Sequence, residues 1–271
     1  MKGDGGGGFY DDPVVYDILA APGTAAELDV LDAIVAAWAV LEDGPRLWLE
    51  PACGTGRCLR EWAARGRRAV GFDVSAAMAS HARRRLRRRG LAARDEVLVA
   101  EVLVADMADC GDLLPPGGVD VAYLPDNSFR HLPDDRAARA HLDGMARLLR
   151  PGGVYVLGLS LTSPQGEPPD EDVWTASRGG IRVTQVVNYL PPGPDGIGPR
   201  LERVISHLVV SRAGVEEHRD HVYDLRTYTP RQWDALLGRS DLQRLASLDR
   251  LGTPRAGRDL PYQLEVLARR G

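Results

Sequence analysis

The segment from Leu47 to Arg57 brings a carboxylate, two glycines and a guanidinium close together in the sequence. Apolar residues 47–49 predict the end of a buried strand, Gly54 and Gly56 lie in the following turn, and a helical pattern then begins. Glycines in such a turn let the backbone approach a ligand where a Cβ would clash. The segment therefore predicts a cradle for a nucleotide-type cofactor.

The spacing of the glycines indicates which cofactor the cradle accepts. A dinucleotide fingerprint requires a third glycine three residues after the second, and this chain has Leu59 there. Glu50 closes the strand with a carboxylate aimed at the turn, which suits an ammonium group. We therefore expect a cofactor with a cationic end rather than a pyrophosphate.

Residues 50–57 (Glu-Pro-Ala-Cys-Gly-Thr-Gly-Arg) resemble the first motif of class I S-adenosylmethionine-dependent methyltransferases, in their small-molecule branch. Four later segments resemble further landmarks of that family and follow its order. Residues 71–75 resemble the acidic end of the second strand, and residues 104–107 the end of the third. Residues 120–132 resemble the fourth strand with its active-site turn, and residues 149–153 the helix stop before strand five. The resemblance covers residues 45–160 well and implies S-adenosylmethionine as cofactor, with S-adenosylhomocysteine as product.

The resemblance also implies roles for the residues that hold this cofactor. Glu50 would hold the methionine ammonium, Asp73 both ribose hydroxyls, and Asp106 the adenine amino group, with Met107 packed on the ring. Further contacts are expected from Ala52, Gly54, Gly56, Arg57, Val74, Pro125, Asn127 and Tyr16. The alternatives are a surface role for Glu50 and a helix-capping role for Asp73, although Ser75 can cap the next helix instead.

The residues of the fourth-strand turn would line the site from which the methyl group leaves. His131 is the candidate general base, because an unperturbed imidazole titrates near 6.5. The expected acceptor contacts are Tyr10, Ser128, His131, Arg226 and Tyr228. Alternatively, His131 caps residues 134–135 or packs under a lid, the amino-terminal tyrosines fasten the first helix, and Arg226 is a solvated edge residue.

Strand and helix patterns alternate from residue 46 to residue 161. The strands are predicted at 46–50, 68–73, 97–105, 119–125 and 153–161, and the helices near 57–65, 75–89 and 134–149. This alternation, together with the resemblance, predicts an α/β fold with a Rossmann-like, doubly wound, mostly parallel seven-stranded sheet. Ligands of such sheets bind at the carboxyl ends of the strands.

The alternation stops near Pro164, and period-two patterns follow at 181–190, 201–212 and 215–226. These patterns predict an antiparallel β insertion after strand five. Four divisions are expected: a tail and helical cap at 1–44, the cofactor-binding core at 45–161, the insertion, acting as a substrate lid, at 162–228, and a helix with the closing hairpin of the core at 229–271. The first division contains a helix at 24–41 that Gly44-Pro45 stops. In the last, a helix starts at Thr229-Pro230, and the hairpin strands are at 242–249 and 262–269.

Composition argues against several classes of protein. A net charge of −4 gives no general attraction to nucleic acid or anionic membranes, and the arginine run at 83–89 fits a solvated helix face. No apolar stretch approaches the roughly 20 residues that span a bilayer. Three cysteines show no metal-ligand spacing, and His218 and His221 would point to opposite faces of a strand, so no metal is expected. The glycine-rich start has no signal-peptide pattern, which predicts a cytoplasmic protein.

Three functions remain open on the sequence. The first is methyl transfer from S-adenosylmethionine to a small-molecule acceptor by in-line displacement. The second is an RNA or protein methyltransferase, and the third is a non-catalytic S-adenosylmethionine-binding module. The sequence leaves open whether oxygen, nitrogen or carbon is methylated, and whether the chain is a monomer or a homodimer.

Overall fold

The computed structural model describes residues 9–41, 46–91, 100–193, 198–254 and 262–271. It divides into two compact units. The smaller combines Met1–Pro22 with Gln165–Thr227, and the larger combines Gly23–Pro164 with Tyr228–Gly271. The amino-terminal segment expected to form one cap is therefore shared between the two units.

The helices are α1 (Pro13–Ala20), α2 (Thr24–Trp38), α3 (Arg57–Ala64), α4 (Ala76–Arg88), α5 (Asp135–Leu148) and α6 (Pro230–Leu237). All of these except α1 lie close to predicted ranges. Two 3₁₀-helices span Met107–Asp112 and Ser128–His131. The strands are β1 (Leu47–Pro51), β2 (Arg68–Asp73), β3 (Ala100–Val104), β4 (Val119–Leu124), β5 (Leu149–Ser160), β6 (Asp170–Arg178), β7 (Ile181–Leu190), β8 (Leu201–Arg212), β9 (Val215–Arg226), β10 (Leu242–Leu248) and β11 (Tyr262–Arg269).

The larger unit is built on a seven-stranded sheet of order β10-β11-β5-β4-β1-β2-β3. Strands β1 to β5 pair in parallel, and β11 runs antiparallel to both β5 and β10. The predicted Rossmann-like sheet is confirmed. Since β1, β2, β3 and β4 are parallel, their carboxyl ends lie along one edge, and the order reverses between β1 and β4.

Apolar side chains cover both faces of this sheet. One cluster includes Trp233 of α6 and residues of α5, and the other includes Trp62 of α3 with residues of α2 and α4. Within the sheet, the buried carboxylate of Asp120 accepts a hydrogen bond from the Leu47 N–H (2.7 Å) and pairs with Arg150 (3.0 Å). These contacts fix β1 and β5 against β4.

The smaller unit is an antiparallel sheet of order β6-β7-β8-β9. Strands β7, β8 and β9 have the predicted bounds, and α1 packs Val15 and Ile18 against Val183, Leu208 and Val210. The sequence missed β6 because most of its residues are exposed, so an alternating apolar face is lacking. The sequence also missed α1, whose amino-terminal N–H groups bind the Asp12 carboxylate.

The carboxyl-terminal expectations are confirmed. Thr229 caps α6 in a capping box with Gln232, and Pro230 occupies the first turn. Strands β10 and β11 form the closing hairpin. The glycine-rich start, Gly44-Pro45, the first residues of the strand predicted at 97–105 and the turn at 194–196 lie outside the described residues.

Within the described ranges, none of the helices is both long and apolar enough to cross a membrane. In the same part of the chain, no three His, Cys, Asp or Glu side chains converge as metal ligands. The three cysteines are buried and carry free thiols.

Gly144 of α5 generates a stability prediction. A Cβ there would lie 2.8 Å from the Cys110 Sγ and 3.0 Å from the Gly111 backbone nitrogen. Alanine ordinarily stabilises a helix interior relative to glycine, but the rigid backbone opposite should reverse the sign. We expect Gly144→Ala to lower the Tm by about 5 °C. The matched change Gly193→Ala, which meets no atom within 4 Å, should leave it unchanged. An unchanged or raised Tm for Gly144→Ala in thermal unfolding would contradict the tight packing.

Candidate active site

The turn after β1 is a left-handed loop. Ala52, Gly54 and Gly56 have φ angles of 47°, 51° and 68°. The Cys53 N–H bonds the Phe72 carbonyl (2.9 Å), which ties the loop to β2. A Cβ on Gly56 would lie 3.0 Å from the Ala82 Cβ, so glycine also allows α4 to approach. The loop is an open backbone cradle at the carboxyl end of β1.

Asp73 ends β2 directly beside this loop. One carboxylate oxygen accepts a hydrogen bond from the Gly54 N–H (2.8 Å) and the other from the Ser75 N–H (2.8 Å). Burial raises the pKa of Asp73, although both hydrogen bonds act in the opposite direction. Ser75 caps α4 through the Met78 N–H, as expected. Asp73 therefore orders the loop and keeps lone pairs for further donors, since a carboxylate accepts about four hydrogen bonds.

Glu50 lies beneath the loop and is only 3% exposed. Its Oε2 has no hydrogen-bond partner. Burial raises the pKa of Glu50 to about 8, although Arg57, the Cys58 thiol and the Leu59 N–H all lower it. A buried carboxyl group with an unpartnered oxygen is costly, and a ligand cation there would relieve that cost.

Asp106 and Met107 follow β3, whose Val104 pairs with Asp73. The Ala105 N–H bonds the Asp73 carbonyl (3.1 Å), so the two strand ends are neighbours. Asp106 is exposed and accepts a hydrogen bond from the Ala108 N–H (2.8 Å), while Met107 is half-buried. Val74, after Asp73, is 69% exposed. The ends of β2 and β3 thus present apolar and acidic groups together.

The turn after β4 carries backbone strain. Asp126 and Asn127 have φ angles of 55° and 64°, in the region that favours glycine. Among the described residues only two other non-glycines, Ala52 and Ala213, share such angles. Three of these four positions lie at the carboxyl ends of β1 and β4. Strain of this kind persists only where surrounding contacts enforce it, and it clusters at functional sites.

Three elements enforce this turn, which spans residues 125–128. Arg57 of α3 pairs with the Asp126 carboxylate at 2.9 Å. The Asn127 amide bonds Ser160 of β5 twice, donating to its Oγ (2.9 Å) and accepting from its N–H (2.6 Å). The Asp126 N–H donates to the Tyr262 hydroxyl (3.2 Å). This hydroxyl lies against Gly158, and a Cβ at Gly158 would collide with it.

Arg57 is itself held by the first helix of the larger unit. Its guanidinium pairs with both carboxylate oxygens of Glu27 and contacts the Thr24 hydroxyl (3.3 Å). Glu27 also accepts a hydrogen bond from the Tyr123 hydroxyl (2.8 Å). A buried network therefore links α2, α3 and β4 below the strained turn, and none of it was apparent in the sequence.

The side chains of Arg57 and Asn127 bond to protein partners and position the turn. Their expected contacts with the cofactor stay predictions. Tyr228 was expected to touch substrate, but it has no exposed surface and packs against Phe129 and Trp233. Its place is in the hydrophobic core.

Other predicted residues lie at the turn itself. Pro125 is buried, Ser128 is half-buried and His131 is exposed. The side chain of Asp134 caps α5 by accepting from the Ala137 N–H, and the roles expected for His131 stay predictions. Partial desolvation by the surrounding protein and the nearby charge of Arg130 lower the pKa of His131 to about 4, although part of the side chain reaches solvent. His131 is therefore neutral near pH 7 and is a weak base.

Tyr10, Tyr16 and Arg226 belong to the smaller unit. Tyr10 packs against Tyr16 (5.8 Å between ring centroids) and edge-on against Tyr223 (5.6 Å). Arg226 is half-buried at the end of β9. The tyrosines thus form an aromatic cluster within their own unit, and their expected contacts with cofactor or substrate stay predictions.

Comparison with known families gives a match for part of the larger unit. A model of the methyltransferase domain matches residues 49–153, the range from β1 to the start of β5. The protein contains a methyltransferase domain. The resemblance noted in the sequence is confirmed, because the matched segment carries the glycine loop and the ends of β2, β3 and β4. Comparison with curated proteins gives no match.

Solved structures share the fold of the methyltransferase domain and of the whole chain. An S-adenosylmethionine-dependent methyltransferase from Clostridium acetobutylicum has a TM-score of 0.71 at 14% identity, covering 95% of this chain and 97% of that one. The sugar N-methyltransferase KedS8 from Streptoalloteichus has 0.68 at 24%, covering 100% and 96%. The amino pentose methyltransferase CalS10 from Micromonospora echinaspora has 0.68 at 22%, covering 99% and 100%. These structures therefore share the fold of this chain over nearly its whole length.

Glu50 predicts a pH-dependent stability. Its pKa of about 8 in the folded state lies above its ordinary value of 4.5, so the folded protein retains a proton that the unfolded chain releases. The free energy of unfolding should fall as pH rises from about 4.5 to about 8. Glu50→Gln removes this effect, so its Tm advantage over wild type should grow between pH 5 and 8. Glu101→Gln, at an exposed position, is the matched control. A Tm difference for Glu50→Gln that does not vary with pH would contradict the assignment.

Proposed function

We propose that the protein transfers the methyl group of S-adenosylmethionine to an amino nitrogen of a small-molecule acceptor. The observation that carries this proposal is the buried Glu50 carboxyl group with its unpartnered oxygen beneath the glycine loop. It stands at the carboxyl end of β1, inside the matched methyltransferase domain.

The residues present fit this cofactor. Glu50 Oε2 would receive the methionine ammonium, which restores the ionised carboxylate by pairing it with a cation. Asp73 would accept the ribose hydroxyls with its remaining lone pairs. Val74 and Met107 would flank the adenine, with Asp106 accepting from its amino group. The backbone at Ala52, Gly54 and Gly56 leaves room for close approach.

The cofactor supplies a methyl group on a positively charged sulfur, and the protein supplies alignment. Arg57, Ser160 and Tyr262 hold the turn after β4 in its strained shape. Pro125 and Ser128 of that turn would set the direction of the acceptor's approach. Fixing the acceptor in line removes much of the entropic cost of the reaction.

The weak basicity of His131 favours nitrogen over oxygen as the acceptor atom. A hydroxyl acceptor needs a base near the working pH, and an imidazole with a pKa of about 4 is poorly suited to that task. An amine that has already lost its proton to solvent needs none. KedS8 is described as a sugar N-methyltransferase and CalS10 as an amino pentose methyltransferase, which supports an amino sugar as the acceptor class. The net charge of −4 favours a small molecule over nucleic acid.

Cofactor binding should release a proton at pH 7, because Glu50 ionises when it meets the ammonium. Calorimetric titration with S-adenosylhomocysteine, in buffers of different ionisation enthalpy, should show close to one proton released for wild type and none for Glu50→Gln. Asp73→Asn should weaken binding about tenfold, since a hydrogen bond to a charged group is lost. The control Glu101→Gln should behave as wild type. Absence of binding at millimolar concentration would remove the proposal.

The acceptor assignment predicts a pH profile. With paired acceptors such as glucosamine and glucose, methyl transfer should be detected by mass spectrometry only for the amine. The rate should rise with pH through the amine's own pKa, and His131→Asn should lower kcat by less than about tenfold, far below the loss of a general base. Methylation of the hydroxyl partner, or a loss of 10²-fold or more in His131→Asn, would contradict an amine acceptor.

A further inference from the structure

His141 is a fully buried histidine in the middle of α5, outside the predicted site. Its Nδ1 lies 3.0 Å from the carbonyl oxygen of Met107, and its Nε2 lies 2.8 Å from the hydroxyl of Tyr155 on β5. The imidazole thus spans from the core of the sheet to the loop after β3.

The chemistry of the two partners fixes the tautomer of the ring. A carbonyl oxygen can only accept, so Nδ1 carries the hydrogen and donates to Met107. In the neutral ring Nε2 is then an acceptor, and the Tyr155 hydroxyl must donate to it. Burial lowers the pKa of His141 to about 4, which keeps the ring neutral under ordinary conditions.

The loop that His141 grips comprises residues 105–108, here called the adenine loop. Its first end is held by the bond from the Ala105 N–H to the Asp73 carbonyl. The Asp106 carboxylate closes it locally on the Ala108 N–H, and these contacts leave the Met107 carbonyl to α5. Phe129, next to the strained turn, meets the His141 ring edge-on at 5.7 Å. His141 therefore contacts both the adenine loop and the 3₁₀-helix after β4.

We propose that His141 is a positioning residue: it sets the adenine loop through the Met107 carbonyl, and the Tyr155 hydroxyl holds the opposite edge of the ring. The proposal rests on the proposed function, because the loop is assigned to the adenine of the cofactor. Loss of the Nδ1 contact should release Met107 and Asp106 and so reduce recognition of the adenine amino group.

Two substitutions at the same residue separate this role from general stability. His141→Asn places an amide nitrogen where Nδ1 stands, so it keeps the bond to Met107 and loses the acceptor for Tyr155. His141→Gln reaches the position of Nε2, so it keeps an acceptor for Tyr155 and loses the bond to Met107. Each leaves one buried group unpaired, and we expect similar losses of Tm for both.

The readout is calorimetric affinity for S-adenosylhomocysteine and for S-inosylhomocysteine, which has oxygen in place of the adenine amino group. We expect His141→Gln to bind S-adenosylhomocysteine about tenfold more weakly and to lose most of the wild-type preference for it. His141→Asn should retain both affinity and preference within about twofold. Equal changes in the two variants, or an unchanged preference in His141→Gln, would overturn the positioning role.

The wild-type titration distinguishes failure of the proposed function from failure of the positioning role of His141. Failure of wild type to bind either compound would overturn the proposed function and this inference with it, whereas wild-type binding with equal variants would overturn only the inference. If the His141 variants do not fold, Tyr155→Phe gives the test. It removes the hydrogen bond that holds Nε2, so the ring is free to turn away from the Met107 carbonyl. The preference for S-adenosylhomocysteine should then fall, and an unchanged preference would contradict the proposal.

Discussion

The buried carboxyl group of Glu50 is the constraint around which the larger unit is organised. Burial favours its neutral form, and the nearby Arg57 only partly opposes this effect. A group of this kind is costly for a fold unless a ligand completes it, since a desolvated polar atom without a partner is destabilising. The glycine loop above it leaves backbone space instead of side chains, and Asp73 fixes that loop from the next strand. Under the proposed function, stability and cofactor binding are therefore opposed at this residue.

A second principle is that the carboxyl-terminal edge of the parallel strands is held in shape by contacts from neighbouring elements. Asp126 and Asn127 adopt left-handed backbone angles and are restrained by Arg57, Ser160 and Tyr262. The adenine loop is restrained from α5 by His141. In both cases hydrogen bonds or an ion pair from a neighbouring element fix the shape of a turn. Accurate placement of a reacting group depends on such supporting contacts.

His131 is a weak base, and the turn at residues 125–128 is held in a fixed shape by its neighbours. Both features fit chemistry that relies on positioning more than on proton transfer. Methyl transfer to an amine has this character, because the cofactor carries the reactive group and the acceptor can lose its proton to water. The insertion sheet with its tyrosine cluster is a separate unit. The proposal of an amino sugar as the acceptor is supported by the similar sugar methyltransferases and not by contacts of this insertion sheet.

The sequence by itself determined the fold class, the strand order along the chain and the acidic ends of β1, β2 and β3, because glycine spacing and hydrophobic alternation are local signals. It also predicted β7, β8 and β9 closely, but missed β6, which lacks a buried face. Only the tertiary structure showed that Arg57 and Asn127 bind protein partners, that Tyr228 is in the core, and that Glu27, Tyr262 and His141 support the site. These roles depend on contacts between residues far apart in the chain, up to 136 positions for Asp126 and Tyr262, and no local pattern encodes such a pairing.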